Sequence, residues 1–167
     1  MSPDLPPAST AVHRYAAAVS WRGSTAVGYD HYDRTHDGRT DPPTTPLRLS
    51  SDPAFHGDRG LHNPEQLLVL AAASCQLLAF LAVASRARLD VVAYEDEVEA
   101  AMPEDDRPVR ITRITLRPRI TVAAPQERRA TVEHRVRQLC ELAHHECYIA
   151  NSLRSDITVE PTVVFVS

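Results

Sequence analysis

Between Leu67 and Ala84 almost every side chain is apolar, and no feature of the 167 residues constrains the fold more. The apolar positions fall on all sides of a helix rather than on one stripe, so such a helix needs cover all round. The stretch NPEQLLVLAAASCQLLAFLAVASR, Asn63 to Arg86, opens with a helix-start signature. Asn63 can cap, Pro64 suits the first helical position, and Gln66 can reach back to the cap. The run is just long enough to cross a membrane. Its alanine content, the Ser74, Cys75 and Gln76 at its centre, and the lack of an aromatic belt favour a buried core helix, so no membrane partner is expected.

The rest of the chain supplies elements that need such a helix to pack on. Two strands are expected at His13 to Ser20 and Ala26 to Tyr32, joined by the turn WRGST, with a polar loop from Asp33 to Pro46 and a short strand at Leu47 to Ser50. A loop from Ser51 to His62 leads into the helix. Beyond it, Asp90 to Ala101 and Val109 to Val122 alternate as strands, the second with Pro118 as a sign of an edge or a bulge. Ala124 to His145 carries Val132, Val136, Leu139 and Ala143 at helical spacing, and Asp156 to Val166 reads as a closing strand. The order implies an α+β fold with mostly antiparallel sheet. One sheet is little cover for a helix this apolar, so a two-fold homodimer with two central helices in contact is expected. Residues 1–12 are expected to be a flexible leader without a secretory signal, and 13–167 a single domain.

Composition removes several functions. The net charge of −4 carries no electrostatic footprint for nucleic acid. All eighteen basic residues are arginine, which excludes lysine Schiff-base chemistry. Three cysteines, Cys75, Cys140 and Cys147, are an odd count for a disulfide scaffold, so the cytoplasm is the expected compartment.

Cys75 sits at the middle of the apolar helix, where two roles stand open. It can fill space as a small hydrophobe, or react as a thiolate. Apolar burial disfavours a thiolate, and the helix dipole has faded three turns from Asn63. A reactive thiol there needs a cation, which in this chain means arginine or protonated histidine. Cys147 lies past the amphipathic helix in AHHECYIANS, and a buried thiol with a second at a helix end suits a peroxidatic and resolving pair.

The residues Asn63, Pro64, Glu65, Gln66 and Leu67, followed by Cys75 and later by Ala143, His144 and Cys147, resemble the OsmC/Ohr family of thiol-dependent hydroperoxide reductases. The resemblance runs along nearly the whole chain after the leader. It implies an OsmC-like intertwined homodimer with two long central helices back to back and active sites at the subunit interface. It also implies a chemistry. Cys75 attacks an organic hydroperoxide and becomes a sulfenic acid, Cys147 closes a disulfide, and an external dithiol reduces it, with no metal or cofactor. Glu65 lies ten residues from Cys75, about 15 Å along one helix, so it would act across the dimer. The supporting arginine of the family matches Arg34 in YDHYDRTH, with Arg22 in WRGST as the alternative. Cys140 matches no family position and reads as packing.

Two rival readings remain. Cys140 and His144 at i, i+4 spacing, with His145 and Cys147 nearby, could hold zinc, but no CxxC or HExxH accompanies them. The other is a non-catalytic OsmC-like protein that binds small molecules or serves in stress, with the apolar surroundings of Cys75 forming the pocket. A serine hydrolase lacks its G-x-S-x-G.

Overall fold

A computed structural model describes residues 12–42 and 45–166. The expected leader lies outside the described residues but for its last position. The chain divides into two compact units, Met1–Pro64 and Glu65–Ser167.

The first unit is a three-stranded antiparallel sheet in the order β1 (Ala16–Ser20), β2 (His36–Asp41), β3 (Leu47–Leu49). The stretch Ala26 to Tyr32 is not a strand. It begins as a 3-10 turn, Thr25–Val27, because the Ser24 hydroxyl accepts the Ala26 N–H at 3.2 Å and Gly28 then takes a φ of 96°. The strand falls instead at β2, inside the expected polar loop. The loop before the long helix is wound tightly by its own polar groups. Asp52 accepts the Ala54 N–H at 2.8 Å, and the Asn63 amide donates to Asp52 Oδ2 at 3.1 Å. Only glycine fits at Gly57, where a Cβ would stand 1.7 Å from the Ser51 carbonyl oxygen.

In the second unit β5 (Arg113–Ala123) is the central strand. It pairs antiparallel with β4 (Val91–Ala101) on one side. On the other it pairs in parallel with β6 (Asp156–Val159) and then β7 (Thr162–Val166). The closing strand is thus two segments, broken at Glu160 and Pro161. Pro118 is neither at an edge nor at a bulge; it is buried in the middle of β5, opposite Asp96. The sheet tolerates it because β6 pairs up to Leu116 and β7 resumes at Arg119, so the missing N–H falls in the gap.

The long helix α1 (Pro64–Arg86) lays Ala72, Gln76, Phe80, Val83 and Ala84 into the core. Phe80, Val83 and Ala84 join Ile120 and Val122 of β5 and the inner face of α2 (Arg129–Glu146), formed by Val132, Val136, Cys140 and Ala143. Ala72 joins a second cluster with Ile114 and Leu116. The helix is not covered on all sides within one chain. Leu70 is 63% and Leu78 64% exposed, because sheet and α2 together reach only one face. By length and composition alone α1 could also cross a membrane. The second helix starts later than its pattern implied. Pro125 leads into a 3-10 turn, Gln126–Arg128, before α2 proper. A short helix α3 (Tyr148–Ser152) follows Cys147.

Candidate active site

Cys75 lies in the middle of α1, half-buried, one residue before the fully buried Gln76. Cys147 ends α2 and is 1% exposed. Its N–H still donates to the His144 carbonyl at 3.2 Å, but its own backbone turns extended, with φ −73° and ψ 109°. That break re-aims the chain, and the first amides of α3 point back at the sulfurs. The Ile149 N–H donates to Cys75 Sγ at 3.5 Å. Ile149 is two residues past Cys147, so that bond sets Cys75 beside the end of α2, where the Cys75 thiol and the Ala150 and Ile149 amides all act on the Cys147 thiol. Two cysteines 72 positions apart in sequence are therefore neighbours, and both are free thiols.

Burial sets the electrostatics. It pushes the Cys147 thiol above its ordinary pKa, the adjacent Cys75 adds to that, and the two backbone amides oppose it. Cys140, two turns earlier on α2, is pushed up to about 12 by burial, as a thiol inside an apolar cluster should be. His144 is held below the usual histidine range by burial first and by His145 second, and its Nδ1 has no partner among the described residues. Among those residues no group of three or more His, Cys, Asp or Glu converges as metal ligands would.

Glu65 stands in the first turn of α1, half-buried. Helix geometry keeps it about 15 Å from Cys75 of its own chain.

Arg34 belongs to the first unit. It is only 9% exposed, and the chain wraps around it. Its guanidinium donates to the Tyr32 carbonyl at 2.8 Å and the Tyr29 carbonyl at 2.6 Å, and stacks 4.1 Å from the Tyr32 ring and 4.8 Å from the Tyr29 ring. Trp21 braces this turn by donating to the Asp33 carbonyl at 2.6 Å, and His56 by pairing with Asp30 at 3.2 Å. No ion pair among the described residues involves Arg34. Arg22 is exposed. The sequence reading quoted this loop but missed what Tyr29 and Tyr32 do, although two tyrosines five and two residues before the arginine were the available signal. It also missed Gln76 and the Ile149 amide. An open groove of about 430 Å³ over β1 and β2, lined by Ala18, Val19, Gly38 and Arg39, includes no cysteine.

The model of the OsmC-like protein family matches residues 56–162, so the chain belongs to that family. Its fold is shared with an OsmC-like protein of unknown function from Vibrio cholerae, at 23% identity, TM-score 0.76, and coverage of 90% of this chain and 100% of that one. It is shared also with an organic hydroperoxide resistance protein OsmC from Legionella pneumophila, at 20% identity and TM-score 0.60 over 92% and 98% of the two chains. An organic hydroperoxide resistance protein from Elizabethkingia anophelis matches at 16% identity and TM-score 0.64, over 94% and 99%. No curated protein matches the chain.

Proposed function

We propose that this protein is a cysteine-based peroxidase that reduces organic hydroperoxides to alcohols. Family membership and the organic hydroperoxide resistance proteins that share its fold support a redox and stress role. The observation that carries the finer reading is the neighbouring pair of free thiols, Cys75 and Cys147, brought together where the Ile149 N–H, two residues past Cys147, donates to Cys75 Sγ at 3.5 Å. The Cys75 thiolate attacks one peroxide oxygen, the O–O bond breaks, and the alkoxide takes a proton and leaves as alcohol. Cys75 is left as a sulfenic acid. The Cys147 sulfur then bonds to the Cys75 sulfur, the S–O bond breaks, and water leaves with the Cys147 proton. An external dithiol returns both cysteines to thiols and is itself oxidised to a disulfide.

The half-buried setting of Cys75 among alanines and leucines suits an alkyl or lipid hydroperoxide better than hydrogen peroxide. The exposed leucines of α1, Leu70, Leu78 and Leu81, suit a second copy of the chain, since burying each side chain would contribute roughly 1.5–3 kcal/mol. In that homodimer we assign Arg34 the support of the thiolate, because its charge has no carboxylate in the described ion pairs, and Glu65 a role across the interface. Light scattering at twice the monomer mass is the check on the dimer.

The deciding experiment treats reduced protein with one equivalent of cumene hydroperoxide and maps its peptides without reductant. A Cys75–Cys147 disulfide that Cys75→Ser lacks is the expected result. Three free thiols beside unconsumed peroxide would overturn the reading and leave the non-catalytic, ligand-binding one.

A further inference from the structure

Gln76 is the one polar side chain that α1 buries, at 1% exposure, midway between Ala72 and Phe80 on the same stripe. Ala72 belongs to one apolar cluster and Phe80 to the other, so the amide lies at the seam between them. Its Nε2 donates to the Cys140 main-chain oxygen at 3.3 Å, tying α1 to α2. A carbonyl can accept only from the nitrogen end, so the amide oxygen faces away, and there it is buried without a partner among the described residues. An orphaned buried oxygen costs more than one long hydrogen bond returns, so an apolar side chain of the same shape would serve stability better. Stability does not explain this residue.

Position does. The donor sits beside Cys75, and the acceptor lies seven residues, about two turns, before Cys147. The one side-chain hydrogen bond described between α1 and the middle of α2 therefore spans the two segments that carry the thiols. We propose that Gln76 is a positioning residue that fixes the middle of α2 against α1 inside the core, while the exposed Arg86–Glu146 pair, at 2.8 Å, ties the helix end, so that Cys147 closes onto the oxidised Cys75. This rests on the peroxidase reading above and assigns Gln76 to the second step alone. In that step the Cys147 sulfur bonds to sulfur, the S–O bond of the sulfenic acid breaks, and water departs. The demand on geometry is strict, because a disulfide forms only over a narrow range of backbone separation and direction.

The test compares wild type with Gln76→Met and Gln76→Leu in single turnovers with cumene hydroperoxide. Peroxide loss reports the first step, dimedone trapping the sulfenic acid, and quenched alkylation with mass spectrometry the disulfide. The expected result is closure slowed by about tenfold or more, with dimedone-trapped Cys75 accumulating, peroxide loss within about twofold, and melting no lower than wild type. Closure at the wild-type rate in both variants would overturn the proposal. So would slower closure that merely follows a lowered melting temperature, which makes Gln76 structural. If wild type itself forms no Cys75–Cys147 disulfide, the peroxidase reading fails first and this assignment with it.

Discussion

β5 buries every second side chain, Ile114, Leu116, Pro118, Ile120 and Val122, whereas all five residues of β1 are exposed. That contrast extends to the two units. Both apolar clusters lie within Glu65–Ser167. Among the described residues of the first unit, those buried are Arg34, Gly38, Leu49, Ser50 and Asn63, mostly polar or small. It is organised by hydrogen bonds around Asp52 and by a cation between two tyrosine rings, while the second is organised by area removed from water. One protein thus uses a dry core to hold a pair of thiols and a polar knot to hold an arginine. A polar knot specifies geometry strongly and adds little stability, because each bond made replaces one to water.

The largest test of this contrast is Phe80→Ala. It should cost about 3–5 kcal/mol, since Phe80 is fully buried against both β5 and α2, and the loss should appear in the main melting transition. An unmoved transition would break the comparison. Arg34→Ala should act locally, by about 2 kcal/mol, through two lost charged hydrogen bonds and two ring contacts. Faster amide exchange over residues 36–41 with β5 unchanged is the expected signature, and Arg34→Lys should not restore it, because a lysine cannot present two donors in one plane. The last effect is absent at neutral pH and grows only in alkali. Cys140 is raised from 9.0 to about 12 in the folded chain, so the unfolded chain loses that proton first. Stability from this thiol is whole below pH 9 and is lost as pH climbs through 12, with a slope of about 1.4 kcal/mol per unit. Cys140→Val should flatten denaturant midpoints over that range.

The second unit was the more legible from sequence, for the same reason. Area-driven elements advertise themselves: the start of α1 at Pro64, the alternation of β5 and the inner face of α2 are patterns of apolar residues. The NPEQLL and AHxxC segments, with their cysteines, were legible as a family resemblance. The first unit is written in contacts that have no period. β2, HDGRTD, has one buried residue, the glycine, so nothing in its composition marks a strand. Ala26 to Tyr32 alternates well enough to pass for one, yet the chain there is bent around a guanidinium two to five residues further on. In α1 the apolar run was plain, but which leucines one chain leaves exposed depends on where the sheet lies. Gln76 was visible only as a polar interruption, and its hydrogen bond spans 64 residues.

The parallel pairing of β6 and β7 with β5 bears on how the protein is made. β6 and β7 follow α2 and α3, yet both register on β5, with 43 residues between partners. A chain still emerging from the ribosome therefore holds β5 with one edge open while α2 and α3 are synthesised. Non-local pairing of this kind meets its loop-closure cost before any contact offsets it. Commitment of the second unit waits for residues 156–166, and a chain cut before them leaves one edge of β5 free to join another molecule.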